Sequence, residues 1–192
     1  DMELAVFELK SEYFNIQLAG MVKIRKFLLS KDCSKIYTIL DFKILPRIID
    51  LMSGTDSTLQ FEACWILTNL SSSNDIRGSK EIVKAKGVEA LKKLFDRPRL
   101  SLNVKIQIIW ALSNISSDYE FRSFVADDFF NRLFSFILYE HDEEEEALKI
   151  SLWALSNFIN RKVISSSSDE LILRRSFLIF KQYLQHETKV IQ

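Results

Sequence analysis

Three tryptophans, Trp65, Trp110 and Trp153, recur at intervals of 45 and 43 residues, and each opens the same short phrase. The phrases read Trp65-Ile66-Leu67-Thr68-Asn69-Leu70, Trp110-Ala111-Leu112-Ser113-Asn114-Ile115 and Trp153-Ala154-Leu155-Ser156-Asn157-Phe158. Three copies at matched spacing mark an internal repeat, whose units bury their apolar faces only against their neighbours. Upstream of each phrase runs a second apolar stretch with helical period: Ile44 to Met52, Val88 to Phe95 and Phe130 to Leu138. A shorter third stretch, such as Ser79 to Lys84, falls between phrases. Each unit therefore reads as three helices, the longest carrying Trp and Asn.

Composition agrees with helices and removes competitors. The 192 residues include only 4 Gly and 2 Pro, too few for a sheet architecture with a turn every 8–12 residues or so. Gly20, Gly54, Gly78 and Gly87 stand singly, whereas a dinucleotide or phosphate-cradling loop needs clustered glycines. Net charge is zero, which argues against a protein that coats nucleic acid. Apolar runs are core-sized and far short of a membrane span. The opening Asp1-Met2-Glu3-Leu4 has no signal-peptide character, so a soluble intracellular protein is expected. Cys33 and Cys64 are isolated among apolar residues, as buried free thiols would be.

The phrase has a physical meaning of its own. Residues i and i+4 lie on one helical face, so each Trp points the same way as its Asn. Helices stacked about 8–10 Å apart turn the three pairs into a ladder, and an extended peptide advancing about 3.3 Å per residue meets a rung every second or third residue. Asn suits a peptide backbone because its amide offers a donor and an acceptor together. Slots between indoles accept the methylene stem of Lys or Arg, with a cation–π gain of roughly 0.5–2 kcal/mol each. Asp118, four residues after Asn114, falls on the same face and supplies a carboxylate for one held lysine. Its place after the long helix, where an acid opposes the helix dipole, suggests a role other than stability. The plainer alternative makes the tryptophans core residues and the asparagines helix-end groups. Three copies in register weigh against it, since a buried mid-helix Asn is costly each time.

The period falls in the armadillo and HEAT range, and the residues resemble one family within it. Phe61-Glu62-Ala63-Cys64-Trp65-Ile66-Leu67-Thr68-Asn69, Gln107-Ile108-Ile109-Trp110-Ala111-Leu112-Ser113-Asn114-Ile115-Ser116-Ser117-Asp118 and Trp153-Ala154-Leu155-Ser156-Asn157 look like three consecutive repeats of importin alpha. The resemblance runs from near Asn15 to Leu184-Gln185-His186. It implies an all-α, right-handed armadillo-repeat solenoid of three-helix repeats and a nuclear import adaptor. Such an adaptor binds the Lys/Arg-rich nuclear localisation signal of cargo in a concave groove and shuttles between cytoplasm and nucleus. Trp65, Trp110 and Trp153 would wall the basic side chains, while Asn69, Asn114 and Asn157 hold the signal's backbone. Asp118 would pair with the critical lysine, with Ser79 and Gln107 lining the same groove. Departures fall at the edges: the family's loop Gly is Ser73 or Asn74 here, and its Arg after the last Asn is Asn160, followed by Arg161 and Lys162.

Residues 1–192 are thus expected to form a single armadillo array of about four repeats plus the start of a fifth. Ile16 to Phe27 aligns without gaps to Leu59 through Leu70 but places Val22 at the Trp position and Lys26 at the Asn position, giving a first repeat without the pair. Glu170 to Gln185 opens the fifth. The resemblance also implies importin beta as a partner, although the family's N-terminal basic binding segment is not seen in this sequence. The run His141-Asp142-Glu143-Glu144-Glu145-Glu146 reads as a solvated loop. His141 and His186 have no companions at metal-ligand spacing, so no metal is expected. Without a nucleophile motif no catalytic residue, enzyme activity or cofactor is expected, nor a nucleic-acid or membrane partner. The residues also admit a generic armadillo protein–protein scaffold, whose groove would prefer acidic partners.

Overall fold

The computed structural model describes residues 2–29, 32–72, 75–139, 145–160 and 167–190, with side chains of 126–128, 158–160, 167–169 and 184–190 left aside. Its elements are α1 (Met2–Leu9), α2 (Phe14–Phe27), α3 (Cys33–Asp41), α4 (Leu45–Ser53), α5 (Ser57–Ser71), α6 (Arg77–Lys84), α7 (Gly87–Phe95), α8 (Leu102–Ser116), α9 (Tyr119–Tyr139), α10 (Glu145–Asn160) and α11 (Ser167–Val190). No strand occurs among the described residues.

Local chemistry accounts for the boundaries. Asp56 Oδ1 accepts from the Thr58 and Leu59 amides, both at 2.9 Å, and starts α5; Asp32 does the same for α3 through Ser34. Pro46 sits in the first turn of α4, where a missing N–H costs nothing. The elbow from short to medium helix falls at Lys43 and Lys86, both left-handed with φ of 53° and 59°. Gly87 then opens α7, because a Cβ there would lie 2.7 Å from Ile82 Cγ2.

The four Gly and two Pro all precede residue 100, and the later units lose their elbows. The short and medium helices expected as separate elements are one 21-residue helix, α9. The segment 167–190 is likewise one helix. Neither contains a glycine or a proline. At the place of the elbow α9 packs Phe129 and Phe130 instead, both fully buried. Phe95 of α7 meets Phe129 and Phe136 edge to face, with centroids 6.1 and 5.9 Å apart. Each such buried ring contributes on the order of 1.5–3 kcal/mol, which holds the fused helix in the layer.

The long helices stack in the order α2, α5, α8, α10 and form one continuous layer. The medium helices follow as α4, α7 and α9, the short ones as α3, α6 and α9, and α11 packs on α9 and α10. Each unit touches chiefly the next, so the fold is an all-α armadillo solenoid.

Candidate peptide-binding groove

Helices α5 and α8 are covered almost all round, and what they leave open is one narrow stripe. Along the body of α5 the partly open residues are Phe61, Trp65 and Asn69; toward the end of α8 they are Trp110 and Asn114, continuing into Ser117 and Asp118. On α10 the stripe passes through Lys149, Trp153 and Asn157, with Trp153 the most open tryptophan at 38%. Spacings of four place each set on one face, and stacking places the three faces side by side. The structure thus brings the three Trp/Asn pairs onto one face of the long-helix layer.

The asparagines reach back toward the preceding rung. Asn114 Nδ2 donates to Thr68 O at 3.3 Å, and Asn157 Nδ2 donates to Ser113 Oγ at 3.4 Å. Both acceptors lie one residue before the preceding Asn. Below Asn69 the preceding rung has no asparagine, and the Nδ2 of Asn69 is buried without a protein acceptor. Gln107 is buried too, with its Oε1 unpartnered, while its backbone carbonyl accepts from Thr68 Oγ1 at 3.1 Å.

The indoles are not evenly spaced walls. Trp110 and Trp153 touch edge to face, with centroids 6.0 Å apart and planes at 74°, so this pair does not stand as the open slot expected between rungs. Trp65 meets the edge of Phe61 at 5.3 Å and carries the guanidinium of Arg25 over its ring, 4.2 Å from the centroid. Arg25 Nε also donates to Glu62 Oε2 at 2.5 Å, with side chains only 14% and 8% exposed.

Asp118 stays in the open stripe after α8, whereas Ser79 lies deeper than a groove-lining residue. Asp118 lies beyond the end of α8 and directly precedes Tyr119, the first residue of α9. There a carboxylate is favourable to the helix dipole, so its position has a stabilising reason and the dipole argument for another role falls. Ser79 is 2% exposed, buried beside Gly78 where α6 crosses α5. The edge positions Ser73, Asn74, Arg161 and Lys162 lie outside the described residues, as do His141 and the side chains of Asn160 and His186.

Sequence reading missed Arg25 and Glu62. The available signal was position: Glu62 stands three residues before Trp65, as Gln107 stands three before Trp110. Cys64 is fully buried, and loss of water pushes its thiol well above the ordinary range; Cys33, expected buried, is partly exposed at the start of α3. Among the described residues no cluster of His, Cys, Asp and Glu has metal-binding geometry, and no helix is long and apolar enough to cross a membrane.

Comparison with known proteins agrees with the architecture. Residues 32–72 match the armadillo/beta-catenin-like repeat family. Importin subunit alpha-1b of Oryza sativa subsp. japonica is 31% identical over 151 residues, 77% of this chain and 27% of that protein. Importin subunit alpha-6 of Arabidopsis thaliana is 29% identical over 155 residues, 79% and 28% respectively. The chain therefore spans little more than a quarter of these relatives. Among solved structures, an engineered protein superposes with a TM-score of 0.76 at 22% identity, covering 92% of this chain and 69% of its own. A designed armadillo repeat protein in complex with the peptide (KR)4 gives 0.74 at 17% identity, covering 93% and 81%. Helical triplets, the Trp/Asn phrases and these similarities converge: the chain is an importin-alpha-like armadillo-repeat protein.

Proposed function

We propose that this chain binds a Lys/Arg-rich nuclear localisation signal along the Trp/Asn stripe of α5, α8 and α10, as the cargo-recognition part of a nuclear import adaptor. It acts as an adaptor or scaffold and not as an enzyme. The observation that carries the finer reading is the continuous open stripe across α5, α8 and α10, which presents three indoles and three carboxamides on one face. A core role would bury the indoles, yet Trp153 is 38% exposed and its partners are half-open.

The roles follow from chemistry. Asn69, Asn114 and Asn157 offer amide donors and acceptors to a backbone running across the helices. Trp65, Trp110 and Trp153 offer aromatic faces to basic side chains. Asp118, half-buried next to the second rung, adds a carboxylate, and Gln107 adds a buried acceptor without a protein donor. Ser79 is the least accessible member and would act only at the floor of the groove. A designed protein of the same fold is in complex with (KR)4, in keeping with a basic ligand for such a stripe. Cargo carrying such a signal is the partner this reading requires, with importin beta as the further partner of the whole adaptor and shuttling between cytoplasm and nucleus as its setting.

Titration of a fluorescent Lys/Arg-rich signal peptide tests the reading. Wild type should bind at micromolar or better affinity, and Asn114→Ala/Asn157→Ala should lose at least about tenfold, which is 1.4 kcal/mol. Equal binding by the double variant, or preference for an acidic peptide of the same length, refutes it; the second result favours the generic scaffold.

A further inference from the structure

The first rung differs from the others in what already lies on its tryptophan. In the gapless alignment of α2 with α5, Arg25 takes the place of Thr68, and Ser113 holds that place on α8. Each stands one residue before the rung position and faces the next long helix. Thr68 Oγ1 ends on the Gln107 carbonyl, and Ser113 Oγ receives Asn157. Hydroxyls of this length do not reach the next indole. Arginine does: its Nε is 2.5 Å from Glu62 Oε2 and its guanidinium carbon 4.2 Å from the Trp65 centroid. Among the described residues no cation lies over Trp110 or Trp153.

Arg25 is thus held as a bound arginine would be, with a carboxylate on its edge and an indole on its face. It does so on the α2 side of Trp65, since α2 and α8 both pack against α5. Beyond it α2 has nothing further to offer a basic peptide. Val22 stands where an indole would be, and Lys26, at the asparagine position, is exposed and of the peptide's own charge.

We propose that Arg25 is a built-in occupant of the ladder's first slot and so sets where the peptide stops: basic side chains are taken from Trp65 toward Trp153, never on the α2 side of Trp65. This specificity role rests on the peptide-binding reading given above.

The test pairs a five-residue Lys/Arg peptide with the same peptide lengthened by two basic residues at either end. Wild type should bind both within about threefold, because the added side chains find no slot. Arg25→Ala empties the slot and exposes the Glu62 carboxylate, so the lengthened peptide should gain about tenfold over the short one, the effect of one cation–π contact with its ion pair. Arg25→Ala/Glu62→Leu avoids a buried unpaired carboxylate and keeps the test alive should the single variant not fold; a gain smaller than that of Arg25→Ala but above the wild-type ratio is expected. A lengthened peptide that already gains tenfold on wild type, or variants that keep the wild-type ratio, overturn the proposal while short-peptide binding leaves the general reading standing. If no peptide binds any of them, the general reading fails and the slot is judged by thermal unfolding alone. Methylguanidinium at tens of millimolar should then raise the melting temperature of Arg25→Ala relative to wild type, and equal responses overturn the proposal.

Discussion

Asn69 should be a residue that the empty fold tolerates poorly and the complex requires, so replacing it should move stability and binding in opposite directions. Its Nδ2 is buried without a protein acceptor, and an unmet buried donor costs about 1–3 kcal/mol. The residue as a whole is only half-buried, which places the recoverable part at the lower end. Asn69→Leu, of similar size, should therefore stabilise the free protein by about 0.5–1 kcal/mol. Asn114→Leu should do the reverse, since it removes the 3.3 Å bond to Thr68 O and leaves that carbonyl one donor short, a loss of about 0.5–1.5 kcal/mol. Engagement of a peptide differs in the same sense. Asn69 can turn its amide outward without giving up a bond, whereas Asn114 and Asn157 must first release theirs. Asn69→Leu should accordingly weaken a Lys/Arg peptide by about 1–2 kcal/mol, a factor of roughly 5–30. Urea unfolding followed by circular dichroism gives the first quantity, and fluorescence anisotropy with a labelled peptide gives the second. A variant Asn69→Leu less stable than wild type by more than about 1 kcal/mol, or one that binds peptide unchanged, refutes the reasoning.

Other consequences can be measured on the free protein. A Cβ on Gly78 would stand 2.8 Å from the Leu70 carbonyl carbon and nearer still to its oxygen; Gly78→Ala should push α6 off α5 and cost about 2–3 kcal/mol in urea unfolding, and a loss under about 0.5 kcal/mol would contradict that contact. The Tyr37 hydroxyl, donating to Asp75, and then the Arg77 amide hold the Asp75 carboxyl below its ordinary value of 3.8. A depressed carboxyl contributes stability that is present above the unfolded value and lost as pH falls through the folded one. The stability difference between wild type and Tyr37→Phe should be flat from about pH 5 to 7 and shrink below about pH 4; a gap unchanged down to acid unfolding would remove Asp75 as its cause. Cys64, wholly buried with its thiol pushed up by desolvation, should resist a thiol reagent in the folded state while Cys33 reacts. Thiol counting before and after denaturant reads this directly, and two fast thiols in the native protein would contradict the burial.

The sequence exposed the long helices and their open stripe because both obey local rules. Trp65 and Asn69 share a face through helical period alone, and the spacing of copies requires stacked units. What it did not expose depends on contacts between elements. The fusion of short and medium helices into α9 follows from residues missing at an elbow, and an absence is easily overlooked when the apolar stretch Phe130 to Leu138 already looks like a helix. The dipole argument for Asp118 counted only α8, whereas α9 begins immediately after it. Arg25 and Glu62 lie 37 positions apart. Their pairing is legible only once α2 is known to abut α5, and the first unit drew notice for its missing Trp and Asn instead of for what replaces them.

The three rungs are therefore unequal, and the inequality has an energetic order. A methylene stem lying between two indole faces needs them about 7–8 Å apart, twice a carbon contact distance of about 3.5–4.0 Å. Trp110 and Trp153 are at 6.0 Å and edge to face, so a basic side chain enters only if one ring turns and retreats by 1–2 Å or so. Breaking the pair costs about 0.5–1.5 kcal/mol, while a cation held by two ring faces returns roughly 0.5–2 kcal/mol from each. Opening is thus favourable on binding and unfavourable without a ligand. Trp153 is the ring with room to move, being the most open of the three. The α2 side of Trp65 presents the opposite case: the same kind of site, already closed by Arg25 and Glu62 within a nearly dry contact. Releasing Arg25 would strand the Glu62 carboxylate, so a peptide cation displaces Trp153 far more cheaply than it displaces Arg25. Binding should consequently extend toward α10, the direction in which the groove can yield.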